Sequence, residues 1–513
     1  MTQQNSSSKI ILNTVILFTR LIISIVIVLF STRIVLRALG NADFGIYSLI
    51  AGLIMMLSFL NTAMATSTQR FLSFYQGSND IAILKSIFKN SLLLHLAIGV
   101  IIVVSLQVLG LFLFHGFLNI APDRIHAAKA IYQFMALTFF FNIISVPFMG
   151  LLNAHENQLW SAIVALVESF AKLGIAYYLF YTHQDKLIVY GMLMACIGVL
   201  SFVLYAVYCF KKYPECVVKG IWHYDKKQIK ELSSFAGWNM FGSVCSIGRV
   251  QGVAVLLNKF FGTIINAAYG ISNQVISQLN YFSETLLRAI NPQIMRSEGD
   301  GDRKRMLSLS MTASKFGFFL MAAAGIPIIF EMPAVLHLWL KEVPPHTVIF
   351  CSLSIISALL NQETVGLQSA AQAIGKIKVY QIVMGSLILM NIPSALLLLY
   401  LHFDPYWVIL VFVFIEIIAC IFRMFFLKEL AGMDISEYCK KVYVLQIIPV
   451  AINLGVCYFS VRFFHSPWRI LITFLLSGIF FFGSILLFAL EKEEKQLLIA
   501  MVQKLKMKLK PVQ

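Results

Sequence analysis

The chain has 513 residues, of which 59% are hydrophobic and only 12% charged, and its formal net charge is +16. A soluble chain of this length carries about 25% charged residues, so the composition excludes an ordinary globular enzyme and assigns most of the chain to lipid. No polar stretch is long enough for a separate soluble domain, and no basic folded module exists to hold nucleic acid.

The first apolar run, "ILNTVILFTRLIISIVIVLF" (11–30), is long enough to cross a bilayer. No small-residue cleavage site follows it, so the pattern predicts a retained first helix rather than a signal peptide. Further runs predict membrane helices at about 44–66, 91–114, 127–151, 158–182, 187–210, 234–257, 264–289, 311–331, 347–369, 377–401, 406–427, 443–464 and 468–490, fourteen in all with the first at about 11–31. Turn or charge signals mark the breaks, among them Gly40-Asn41, Lys211-Lys212-Tyr213-Pro214, Gly299-Asp300-Gly301-Asp302 and Pro344-Pro345. Pro147, Pro327, Pro393 and Pro449 lie inside spans, where each removes a backbone hydrogen bond and can kink its helix. Residues 491–510, "EKEEKQLLIAMVQKLKMKLK", read as a basic amphipathic helix on the cytoplasmic leaflet.

Fourteen crossings put both termini on one side. That side carries about 25 Lys and Arg, against about nine opposite, so the positive-inside rule makes it cytoplasmic and predicts a multi-pass protein of the inner membrane. The eight cysteines form no C-x-x-C pair and mostly lie within apolar runs, which points to packing rather than metal or disulfide chemistry. The histidines are scattered, and no metal site is expected.

"LGNADFGIY" (39–47) and "FGTIINAAY" (261–269) both follow one apolar helix and open another. At a shift of 222 residues Gly40 matches Gly262, Tyr47 matches Tyr269, Gly77 matches Gly299 and Asp80 matches Asp302. Six helices separate the copies, so both point the same way. The expectation is an all-α polytopic membrane protein with two six-helix lobes related by a pseudo-two-fold axis along the membrane normal. The lobes are 1–210 and 234–428, joined by a linker at 211–233 and followed by two extra helices (429–490) and a basic tail (491–513).

Polar residues inside spans must face other helices or water. Asn13, Arg20, Ser24 and Ser31 form one stripe on the first helix, and Asn239, Ser243, Ser246 and Arg249 repeat the theme on the seventh. The eighth carries Asn273, Ser277, Asn280, Glu284 and Arg288 on one face, with Tyr269, Gln274, Gln278 and Tyr281 beside it, which reads as the wall of an aqueous cavity. Glu168–Lys172 and Glu284–Arg288 stand at i, i+4, where a pair can neutralise itself within one helix. Glu416 and Arg423 are two turns apart. Arg20 and Arg249 have no acid one turn away, which suits an anion site or an interhelical hydrogen bond. Glu363, in "NQET", is a candidate protonation site.

The stretch "RALGNADFGIYSLIAGLIMMLSFLNTAMATSTQRFLSFYQG" resembles the start of the O-antigen flippase branch of the multidrug/oligosaccharidyl-lipid/polysaccharide (MOP) transporter superfamily. Leu39, Gly40, Phe44, Gly45, Tyr47 and Thr68-Gln69-Arg70 carry the resemblance. "NKFFGTIINAAYGISNQV" resembles the start of the second lobe, with Asn266 and Ala267 departing from Phe44 and Gly45 of the first. The resemblance implies a MATE-like bundle that moves a polyprenyl-diphosphate-linked oligosaccharide to the outer leaflet for surface polysaccharide synthesis. A diphosphate needs fixed cations, for which Arg20, Arg249 and Arg288 are the candidates. Sugar hydroxyls need partners such as Asn273, Gln278 and Asn280. Glu284, Glu363 and Glu416 are candidate acids for coupling to H+ or Na+, and no other cofactor is expected. Membrane lipids and polysaccharide assembly proteins are the expected partners.

Two other functions compete. A cation-coupled multidrug exporter of the same superfamily would rely on cavity acids such as Glu363 and Glu416. An integral-membrane polymerase or glycosyltransferase would need a large external loop, and the longest here has about 15 residues. Asp300-Gly301-Asp302 is literally D-x-D but has no nucleotide-binding fold around it, and no P-loop is present.

Overall fold

Long apolar runs leave the backbone no partner in lipid except itself, so helices are the required solution. The computed structural model describes residues 3–55, 57–77, 80–114, 120–216, 225–340, 342–466, 468–491 and 494–495. Part of the expected linker (217–224) and most of the basic tail (496–513) lie outside the described residues. Among the described residues the chain is all-helical: α1 (Gln3–Met55), α2 (Ser58–Gly77), α3 (Ile81–Phe112), α4 (Ile125–Ala154), α5 (Gln158–Tyr178), α6 (Lys186–Lys212), α7 (Lys226–Gly299), α8 (Arg303–Trp339), α9 (Thr347–Gln362), α10 (Val365–Ile374), α11 (Ile377–Leu389), α12 (Asn391–Tyr400), α13 (Tyr406–Ala431), α14 (Ile435–Tyr438), α15 (Leu445–Phe463) and α16 (Arg469–Ser484). With α11–α12 and α14–α15 each taken as one stretch, ten helical stretches among the described residues are long and apolar enough to cross a membrane, or eleven with the α9–α10 pair taken as one bent span. The protein is an integral, multi-pass membrane protein.

The two longest helices are each two runs joined at a glycine. Gly40 has φ 78° and ψ 171°, and Gly262 has φ 80° and ψ −172°. This region is open essentially to glycine alone. Dividing α1 and α7 there, and taking α9–α10, α11–α12 and α14–α15 each as one run, resolves the described helices into fifteen segments.

The 222-residue shift found in sequence extends into the backbone. α2 and α7 end at Gly77 and Gly299, α3 and α8 begin at Ile81 and Arg303, and α4 and α9 begin at Ile125 and Thr347. The matched aspartates each cap the helix that follows. Asp80 accepts from the amides of Ala82 and Ile83, and Asp302 accepts from that of Arg305. Tyr47 packs edge-on against Tyr190 with centroids 4.9 Å apart, and Tyr269 packs edge-on against Phe412 at 6.5 Å. Tyr190 and Phe412 are again 222 residues apart.

The chain forms two compact units, Asn13–Met240 and Phe241–Gln513, the second also taking in Met1–Leu12. In the first, Ile131, Tyr132, Ala136 and Ile143 of α4 lie at the centre of the core. Arg124 ties three helix ends together, donating from Nε to Asp43 at 2.8 Å and from a terminal nitrogen to Asp185 at 2.6 Å. The outer face of α3 presents Val100, Ile101, Val104 and Leu111 to the surroundings, as a lipid-facing helix should.

In the second unit α8 is the core helix, with Phe319, Met321, Ala322 and Met332 buried. Glu331 is fully buried and accepts from Arg469 (Nε 3.1 Å, a terminal nitrogen 2.9 Å) and from Thr473 (2.9 Å), which docks α16 on α8. Lys315 is buried and donates to Glu494 at 2.7 Å, fixing the chain beyond α16. The expected span at 347–369 is bent by 44° between α9 and α10, at Glu363–Thr364, where there is no proline. Side chains inserted into the helical ladder cause the bend. The Tyr438 hydroxyl donates to the Glu363 carbonyl (2.5 Å), and the Gly366 amide donates to Ser314 Oγ (3.0 Å). A Cβ at Gly366 would lie 1.8 Å from the Ser310 carbonyl oxygen, so only glycine allows this approach. α4, α8 and α15 run through Pro147, Pro327 and Pro449 as single helices.

Candidate functional site

The second half of α7, from Gly262 to Gly299, has two distinct faces. Ala268, Ser272, Leu279, Ser283, Leu286 and Ile290 are buried in the second unit. On the opposite face Gln274, Gln278, Tyr281, Glu284 and Arg288 are all exposed, at steps of four, three, three and four residues. Asn273 and Asn280 flank this stripe, half-buried. An exposed polar stripe on a membrane helix is costly against acyl chains and inexpensive against water. Tyr269, expected beside the stripe, instead turns into the core and is 1% exposed.

Glu284 and Arg288 do not pair in spite of their spacing; no ion pair joins them within 4.0 Å. The other expected i, i+4 pair, Glu168–Lys172, is present at 3.9 Å. Arg249 lies half-buried on the first half of α7, its guanidinium 5.0 Å from the centre of the Phe412 ring. Its Nε is buried without a hydrogen-bond partner, as is the Tyr269 hydroxyl that packs on the same ring. Arg249 forms no ion pair among the described residues. A cation–π contact alone leaves most of the guanidinium's donors unused.

The stripe on α1 is placed differently. Asn13 is buried and donates to the Glu156 carbonyl at 2.9 Å, and Ser24 accepts from Ser169 at 3.4 Å. Both contacts lie within the first unit, so this stripe faces the α4–α5 turn and α5. Arg20, on the same stripe, is half-buried and has a partner of its own.

The acids separate into three environments. Glu284 is exposed. Glu416 is buried and paired: Arg423 approaches its Oε1 at 3.0 Å, Asn361 donates to the same oxygen at 2.8 Å, and Arg423 also donates to Thr364 Oγ1 at 2.8 Å. Glu363 is 7% exposed, sits at the α9–α10 bend, and has no cationic partner within ion-pair distance among the described residues. Its Oε2 lacks a hydrogen-bond partner, and so does the buried amide nitrogen of Gln446. The roles of Gln446, Tyr438 and Thr364 around this bend escaped the sequence reading. The bend has no Pro or Gly at its apex, and Gln446 and Tyr438 come from a distant part of the chain.

No family model matches the chain, and no curated relative does either. Solved structures do. A MATE protein in its straight conformation aligns over 83% of this chain and 97% of its own, with a TM-score of 0.73 at 13% identity. A protein described as an outward-facing multidrug resistance MATE family transporter of the MOP superfamily covers 85% and 98%, with a TM-score of 0.70 at 12% identity. This chain has the MATE fold. A third neighbour with that fold, from Pyrococcus furiosus, is described as a MOP superfamily transporter whose reversed binding-pocket polarity suggests a different function; it covers 83% and 96%, with a TM-score of 0.71 at 13% identity.

Proposed function

We propose that this chain is a secondary transporter of the MOP type that flips polyprenyl-diphosphate-linked oligosaccharides by alternating access. The observation that carries this reading is the exposed stripe Gln274–Gln278–Tyr281–Glu284–Arg288 on a membrane helix, with Arg288 in no ion pair among the described residues and Arg249 on the same element. Amides and a tyrosine hydroxyl suit sugar hydroxyls, and guanidinium groups suit a diphosphate, which they can hold by two parallel hydrogen bonds. The prenyl chain would remain in the bilayer, so only the head group needs a polar path.

In this mechanism Glu363 couples transport to an ion gradient. A buried carboxyl with no cation beside it is balanced by a proton or a cation taken up from solution. Glu416 already has Arg423 for that purpose. Arg20 is the weaker anion ligand, because Asn13 and Ser24 of its stripe are spent on contacts within their own unit.

Export of multidrug substrates is the second reading, and the descriptions of the structural neighbours favour it. One pair of measurements separates the two. Purified protein is titrated with a polyprenyl-diphosphate disaccharide, and vesicles are tested for ethidium efflux. The flippase reading expects saturable lipid binding that weakens at least tenfold in Arg288→Ala, without ethidium transport. Efflux together with no lipid binding would transfer the conclusion to the multidrug reading.

A further inference from the structure

Two side chains from one short stretch of the second unit meet Glu363. The Tyr438 hydroxyl, at the end of α14, donates to its backbone carbonyl at 2.5 Å, and the Gln446 side chain, at the start of α15, faces its carboxyl. Residues eight apart on a regular α-helix lie about 80° out of line. The turn between these two, Cys439–Val444, is π-helical, and its wider turn brings both onto the face that meets the α9–α10 bend. Such π turns are rare in proteins and recur at functional sites. One turn beyond Gln446, Pro449 has no amide for the Leu445 carbonyl, so Gln446 lies between two interruptions of the regular helix.

Gln446 is 3% exposed and Glu363 7%. The amide nitrogen of the first and Oε2 of the second are buried without a hydrogen-bond partner, a donor and an acceptor that face each other unjoined. Burying both in this way costs free energy that a bond between them recovers. The other ionisable groups around Glu363 are neutral or committed. The Cys420 thiol on α13 and the phenols of Tyr438 and Tyr443 carry no charge, at their ordinary values, below about pH 8. Arg423 is spent on Glu416 and Thr364, and Lys315 of α8 on Glu494. The Gln446 amide differs from all of these. It has a donor at one end and an acceptor at the other, so it can serve a carboxylate and a carboxylic acid in turn.

We infer that Gln446 is a positioning residue for Glu363, donating to the carboxylate when it is ionised and turning its carbonyl oxygen to the carboxyl proton when one is taken up. The π turn aims it. The two helices beyond the second lobe, within 429–490, therefore take part in coupling and do more than cover the bundle. The inference rests on the reading of Glu363 as the coupling group and is independent of the substrate.

The test reads the carboxyl directly. Infrared difference spectra of the full-length protein in lipid films are recorded from pH 5 to pH 9, and the protonated-carboxyl band of Glu363 is assigned by its loss in Glu363→Gln. A hydrogen bond to a charged group is about twice as strong as one to a neutral group, so losing Gln446 favours the protonated form. Gln446→Met should move the midpoint of the band upward by about one pH unit. Gln446→Asn, which withdraws the amide by one carbon, replaces it if the methionine variant does not fold. Asn453→Leu is the structural comparison. It removes the buried 2.6 Å bond from Ser477 further along α15 and should lower the unfolding temperature while leaving the infrared midpoint in place. The same midpoint in the parent and in Gln446→Met would overturn the inference, and so would an equal shift in Asn453→Leu. A parent in which Glu363 does not titrate at all would overturn the coupling reading and the inference with it, so the two failures are distinguishable.

Discussion

Replacing Arg423 by methionine tests whether the pair beneath the α9–α10 bend is a coupled ionic unit. Arg423 is 3% exposed and Glu416 8%. Among the described residues Arg423 supplies the only cation on Glu416 (3.0 Å) and also bonds Thr364 (2.8 Å), whereas Asn361 gives Glu416 one neutral donor at 2.8 Å. Arg423→Met keeps the length and apolar stem of the side chain but leaves Glu416 with Asn361 alone. Removing one member of a buried pair costs about 3–5 kcal/mol. At about 2–4 °C per kcal/mol for a unit of this size, the unfolding midpoint should fall by about 6–20 °C. Replacing both partners removes the uncompensated charge together with the attraction, so Glu416→Met/Arg423→Met should lie within about 1–2 kcal/mol of the parent. The assay is thermal unfolding in detergent followed by fluorescence-detected gel filtration, run on the parent, both single variants and the double variant. A double variant as unstable as the sum of the two singles, with a coupling energy below about 0.5 kcal/mol, would refute the pair as an energetic unit.

Gly40→Ala and Gly262→Ala should each destabilise by about 1–3 kcal/mol from backbone strain alone, because nothing lies within 4 Å of a Cβ at either site; unchanged midpoints would contradict the positive φ angles. Glu215, outside the spans, is buried, which pushes its carboxyl up. The bond from His155 (3.1 Å), a backbone amide and Lys85 nearby outweigh this and hold the group below the ordinary carboxylate value. Its contribution to stability is therefore present above the unfolded value of about 4.3 and is lost as pH falls through the lower folded value. Glu215→Gln should accordingly be less stable than the parent at pH 6, and the gap should close at more acid pH; a gap independent of pH would exclude the linkage. Glu363→Gln should flatten the pH dependence of transport while Glu284→Gln preserves it, measured as initial rates in proteoliposomes between pH 5.5 and 8. Arg20→Ala should lower the unfolding midpoint more than lipid binding, and the opposite ranking would return Arg20 to the substrate path.

The helices were legible in the sequence because lipid leaves the backbone one choice. An apolar run of about 20 residues has to satisfy its own amides, and no tertiary contact can override that. The internal repeat was legible for a related reason. Gly40 and Gly262 occupy backbone angles that no other residue tolerates, and Asp80 and Asp302 cap helices through their own next residues, so both signals are local and survive where the rest of the two copies has diverged. The polar stripe on α7 could be read from spacing alone, since residues three and four apart share a helix face in any surroundings. What each stripe faces could not. Arg20 and Arg288 were both anion-site candidates in sequence, yet the Asn13–Ser24 stripe is used against the α4–α5 turn and α5, whereas the Gln274–Arg288 stripe is left exposed. The acids show the same division. Glu363 and Glu416 are separated by the presence of Arg423 beside one of them, and the bend that exposes Glu363's carbonyl is held by Tyr438, 75 residues away along the chain. Periodicity fixes which residues share a face, but the neighbour across that face comes from a distant segment, and only packing brings the two together.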